Sequence, residues 1–75
     1  MDAQNIRAFS EEKLLDEIED KRIDLFNLRF QQASGQLEDL NAIRYAKRDL
    51  ARLLTVQRER QLAAQILAEE NDNGE

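Results

Sequence analysis

One interior break constrains this chain more than anything else in it. The 75 residues contain no proline, and Gly35 is the only glycine before Gly74. Proline and glycine are the residues that interrupt helices, the first through its missing N–H and ring, the second through its backbone freedom. The remainder is rich in Ala, Leu, Glu, Gln, Arg and Lys, which lose little rotamer freedom on becoming helical. The pattern therefore predicts two helical stretches hinged at Ser34-Gly35.

Apolar spacing agrees on both sides of the hinge. Leu14, Ile18, Leu25 and Leu28 recur at helical intervals and form one stripe, with Glu17, Asp20 and Asp24 away from it. Ser10 is an N-cap for this helix, and Glu11 and Glu12 stand in its first turn, where the positive end of the helix dipole favours acids. The helix runs to about Ala33, and Gly35 supplies the left-handed residue that ends it. After Gln36, Leu37 and Glu38, Asp39 caps a second helix from Leu40 to about Ala68, with Ile43, Ala46, Leu50, Leu53, Leu54 and Gln57 along its stripe. Asp2 caps a short segment, Ala3 to Phe9. The fold expected is all-α: an antiparallel two-helix hairpin with a short N-terminal helical segment. It forms a single domain over residues 1–68, followed by a frayed, disordered acidic tail at 69–75. A lone hairpin has one interface and no third layer, so it is built to lean on a partner.

Much chemistry is excluded by composition. There is no Cys, hence no disulfide or thiolate metal site, and no His, hence neither the usual general base nor the commonest neutral metal ligand. Asp16, Glu17, Glu19, Asp20 and Asp24 fan over more than one helix face, with no loop or His to complete a metal's shell. No glycine-rich phosphate loop or nucleophile–base arrangement is present. The chain is therefore expected to be no enzyme and to need no cofactor or metal. No apolar run approaches the roughly 20 residues that span a bilayer, and Met1 to Phe9 lacks the layout of a signal peptide. A soluble, cytoplasmic protein is expected.

Net charge is −5, which argues against nucleic acid until the distribution is seen. Residues 1–25 carry four basic and eight acidic side chains, residues 26–60 seven and four, and residues 61–75 none and four. A positive middle lies between two negative ends. Within it, Arg44, Arg48 and Arg52 fall on successive turns, with Ala51 and Thr55 among them, Lys47 and Arg58 beside them and Tyr45 near Arg52. Small residues between cations let a phosphate backbone come close; a solvated helix face explains the same pattern. A second group, Phe26, Asn27, Arg29, Phe30, Gln31, Gln32, Ser34 and Gly35, closes the first helix. Its rings either fill the closed end of the hairpin or stand outward to meet a base or ribose while the amides bond backbone and 2′-hydroxyl groups. At least one ring is expected to face away from the hairpin seam, and filling the closed end is the expected fate of one. Leu15 and Ile23 widen the apolar arc towards them, a surface that needs a cover of RNA or protein.

The stretch from Leu25 to Glu38, LFNLRFQQASGQLE, and the following Ile43 to Arg52, IRYAKRDLAR, with Thr55 and Arg58 behind, resemble the signature of the bacterial large-subunit ribosomal protein family numbered twenty-nine. The resemblance spans roughly residues 2–60. It implies a hairpin that binds large-subunit rRNA near the mouth of the polypeptide exit tunnel. The implied neighbours are the large-subunit protein numbered twenty-three and ribosome-associated chaperone or targeting factors. Asn27, Arg29, Gln31, Gln32, Ser34, Gly35 and Gln36 match the turn motif; Arg44, Lys47, Arg48, Arg52, Thr55 and Arg58 match the basic helix. Phe30 joins them from the reading of the residues. The chain departs from the family in being net acidic and in having Asp39-Leu40 where members often carry Asn-Pro. The competing reading is a helical protein-interaction module that self-associates or docks on a partner helix, favoured by the acidic balance and the Ile23, Phe26 and Phe30 surface.

Overall fold

The computed structural model describes residues 2–73, with side chains to Glu69. Three helices follow in order: α1, Ala3–Arg7; α2, Glu11–Ala33; and α3, Asn41–Asn73. Helices α2 and α3 pack along each other as the expected hairpin, and α1 packs on α3. The result is a rod, 61 × 21 × 18 Å. No helix among the described residues is long and apolar enough to cross a membrane.

Each end follows from a local residue choice. Asp2 accepts a hydrogen bond from the Gln4 N–H at 3.2 Å, and Ser10 Oγ accepts one from the Lys13 N–H at 3.1 Å. At the hinge Gly35 has φ +76°, the conformation in which a Cβ costs most. The Gln36 N–H then reaches back to the Gln31 carbonyl at 2.8 Å, and the Gly35 N–H donates to Gln32 at 3.2 Å. Those two bonds satisfy carbonyls left over at the end of α2. Across the hinge, Asp39 Oδ1 accepts from the Asn41 N–H at 2.9 Å, so Asp39 does cap α3.

The core is two clusters strung along the seam. Ile6, Leu14, Ile18, Leu53 and Val56 form one, backed by Phe9, Leu50 and Leu54. Leu25, Ile43 and Ala46 form the other, backed by Leu28, Leu37 and Leu50. Ile6 and Val56 lie outside the apolar stripes read from the sequence. They are buried because α1 docks on α3 and widens the buried arc of that helix. Arg60 fastens the docking: its guanidinium donates to the carbonyls of Arg7 at 3.3 Å and Phe9 at 2.6 Å. Arg7 in turn makes a two-pronged pair with Glu59, at 3.2 and 3.3 Å, and the Glu59 hydrogen bond, then its charge, raises the Arg7 pKa.

Two expectations need correction. Helix α3 continues to Asn73, past the helix end expected near Ala68; residues 74–75 lie outside the described residues. Ala, Leu, Gln and Glu dominate positions 61–70, and a nucleated helix propagates readily through such residues. The second correction concerns the rings. Phe26 and Phe30 are 69% and 65% exposed, and neither fills the closed end of the hairpin. That space belongs to Leu28 and Leu37, which pack on Leu25, Ile43 and Ala46.

Candidate nucleic-acid interface

All fourteen residues singled out from sequence are exposed: Asn27, Arg29, Phe30, Gln31, Gln32, Ser34, Gly35, Gln36, Arg44, Lys47, Arg48, Arg52, Thr55 and Arg58. The fold nevertheless divides them. At about 100° per residue, Asn27 and Gln31 lie on one flank of α2 and Arg29 on the other. Asn27 and Gln31 line a shallow groove with Tyr45 of α3, and Asp24, Asp49 and Lys21 share it. Lys47, about 160° round α3 from Tyr45, lies on the opposite flank with Arg29. Arg58 follows Lys47 by 11 residues, close to three full turns, and continues its line. Arg48 and Thr55 run along the outer edge of α3, away from α2. One flank is thus amide-lined with carboxylates among the amides. The other is cationic.

Four members of the set also make contacts within the fold. Ser34 Oγ donates to the Phe30 carbonyl at 2.9 Å and Gly35 makes the turn. Thr55 Oγ1 donates to the Ala51 carbonyl at 2.7 Å, which leaves the hydroxyl oxygen's lone pairs facing out. Arg52 lies 3.9 Å from Asp49, whose carboxylate is also 3.7 Å from Lys21.

The remaining cations are different. Lys21, Arg7 and Arg52 have carboxylate partners, Arg60 holds two carbonyls, and Lys13 lies over the Phe9 ring at 4.9 Å. Among the described residues, Arg22, Arg29, Arg44, Lys47, Arg48 and Arg58 make no ion pair, and all six are exposed. Such side chains can bind an anion without first breaking an internal pair. Five belong to the sequence-derived set; Arg22 does not. It precedes Arg29 by seven residues, two helical turns, and so shares its flank. The Lys21–Asp49 pair fixes the register across the seam and sets Arg22 level with Lys47 and Arg48. Arg22 was hidden by its acidic neighbours, but the seven-residue spacing was there to find it.

The class defined by this arrangement is a small helical hairpin with an open cationic flank. Among the described residues it contains no group of three or more acids, His or Cys placed to hold a metal ion. Residues 4–60 match the family model described as ribosomal L29 protein. The chain belongs to that family, whose members are structural, non-enzymatic proteins of the large ribosomal subunit. It is similar to large ribosomal subunit protein uL29 of Saccharopolyspora erythraea, 38% identical over 72 residues that cover 96% of this chain and 90% of the relative. The uL29 protein of Corynebacterium efficiens is 43% identical over 65 residues, 87% of this chain and 86% of its own. That of Chloroflexus aurantiacus is 41% identical over 63 residues, 84% and 93% respectively.

Proposed function

We propose that this chain is a structural constituent of the cytoplasmic large ribosomal subunit, which it joins by binding large-subunit rRNA through the turn and the first half of α3. The observation that carries the reading is the set of exposed cations without an internal partner, concentrated in residues 22–58 of an acidic chain. Arg29, Arg44, Lys47, Arg48 and Arg58 neutralise phosphates, and each neutralised phosphate releases counterions and adds salt-dependent affinity. Asn27, Gln31, Gln32 and Gln36 supply amide donors and acceptors that fix register on folded RNA, and Phe30 stacks on a base or ribose. Ser34 and Gly35 give the turn its shape, which lets RNA approach a backbone without side-chain bulk. A position near the mouth of the exit tunnel, beside the large-subunit protein numbered twenty-three and within reach of chaperone or targeting factors, follows from the family resemblance.

Arg48→Glu tests the interface. The residue is exposed and outside the seam, so the variant keeps its helical spectrum while its share in large subunits falls. Normal co-sedimentation would remove Arg48 from the interface. A second reading, a protein-docking hairpin, is favoured by the exposed Phe26 and Phe30 with Ile23 at 50%. Sedimentation of lysate with and without ribonuclease separates the two. Ribosomal co-migration lost on digestion supports RNA binding, and a small nuclease-indifferent complex supports docking.

A further inference from the structure

The groove that Asn27 and Gln31 share with Tyr45 has a volume of about 400 Å³. Helix α3 gives it Tyr45, 59% exposed, and the small Ala42 and Ala46; α2 gives it Leu28 and the two amides. Asp24, one turn before Leu28, also lines it. An aromatic ring, a short apolar floor and polar groups on the opposite helix are what a planar, hydrogen-bonding ring needs. Proteins that read unpaired RNA bases do so by this combination of stacking and edge contacts.

Charge and unmet hydrogen bonding say which ring fits. Lys21 lies 3.9 Å from Asp24 and 3.7 Å from Asp49, and Arg52 lies 3.9 Å from Asp49, so two carboxylates face two cations. A groove in balance attracts neither a phosphate nor a basic side chain strongly, and a neutral base enters it without a charge penalty. Among the described residues, the side-chain amides of Asn27 and Gln31 and the Asp24 carboxylate make no hydrogen bond. The amides can donate or accept, whereas the carboxylate only accepts. Guanine is the base whose Watson–Crick edge sets two N–H donors, on N1 and N2, beside an acceptor, O6. A phosphate finds its cation just outside the groove. Arg48, which makes no ion pair, follows Tyr45 by three residues, about 60° round α3 towards its outer edge.

We propose that this groove holds one unpaired guanine of the rRNA, with its ring on Tyr45 and its edge read by Asp24. The Asp24 carboxylate accepts from N1–H and N2–H of the base, a charge-assisted pair, and a side-chain N–H of Asn27 or Gln31 donates to O6. The backbone of that nucleotide passes along the outer edge of α3, where Arg48 meets its phosphate. The two flanks of the hairpin then do different work: the cationic one neutralises phosphates, and the groove selects a base. The proposal rests on the RNA-binding reading and adds to it a base identity and the residues Tyr45 and Asp24.

The test reads the guanine atoms themselves. Kethoxal attacks N1 and N2 of unpaired guanines, so it is applied to large subunits from cells that express the full chain, unaltered or with Asp24→Asn, Tyr45→Ala or Tyr45→Phe. One guanine is expected to be protected by the unaltered chain and by Tyr45→Phe. Asp24→Asn and Tyr45→Ala raise its reactivity by about tenfold, with the chain's share in subunits unchanged. The proposal is overturned if no guanine changes, or if the change is confined to adenines and cytosines under dimethyl sulfate. It is equally overturned if Tyr45→Phe behaves as Tyr45→Ala, since the ring face is then not the contact. The two readings fail separately: absence of the unaltered chain from subunits removes the RNA reading and this one with it. A chain that is present with no guanine altered removes this one alone.

Discussion

Where α1 docks, the hairpin is closed by fully buried aliphatic side chains; Ile6 and Leu53 are both at 0% exposure. At the turn, Leu25 and Ile43 stay at 9% and Ala46 supplies the third side of the contact. The α1 end also carries the contacts that tie three helices together, Arg60 on two carbonyls and Arg7 on Glu59. The turn end has its backbone bonds and little else, yet it carries most of the exposed, carboxylate-free cations. One end keeps the rod folded and the other presents a surface. Separation of this kind lets a chain with a thin core present many unneutralised cations without weakening the contacts on which its fold depends.

The largest effect is expected from the tight end. Leu53→Ala leaves a cavity among Ile6, Leu14, Ile18 and Val56 and costs about 3 kcal/mol by urea unfolding. Leu25→Ala, at the looser end, costs about 2 kcal/mol, and an equal or greater cost would erase the contrast. Gly35→Ala meets nothing within 4 Å, so its penalty comes from the φ of +76° alone, about 1 kcal/mol, read as a lowered melting temperature. The smallest change in stability, under about 0.5 kcal/mol, belongs to Arg44→Gln with Lys47→Gln. That pair has its effect elsewhere: the dependence of rRNA affinity on salt becomes shallower by about two phosphate contacts. An unchanged salt slope would take both residues off the RNA surface.

Much of this was legible from residue order. The hinge at Ser34-Gly35, the caps at Asp2, Ser10 and Asp39, and the Leu14 to Leu25 stripe each express a local preference, and the structure realises them. Ile6 and Val56 were not legible, because their burial depends on where α1 lands, and that is decided by tertiary packing. The outward Phe26 and Phe30 show the converse: their spacing left two positions open, and the small Ala46 with Leu28 and Leu37 settled the matter by filling the turn end first. Among the site residues, exposure and charge followed from the sequence. Their division between two flanks did not, since it depends on which side of each helix meets the seam. Arg22 shares the flank of Arg29 by its seven-residue spacing, and the Lys21–Asp49 pair then sets it level with Lys47 and Arg48.

Leu50 packs against both core clusters. A hairpin with two separate patches of core would breathe one end at a time. With a shared side chain between them, opening the turn uncovers part of the packing at the far end, so the two clusters melt as one cooperative unit. Slowly exchanging amides of α2 and α3 then share a common opening free energy, and Leu50→Ala splits them into two groups. Any ligand that clamps the turn is felt, through that one leucine, as far away as Ile6.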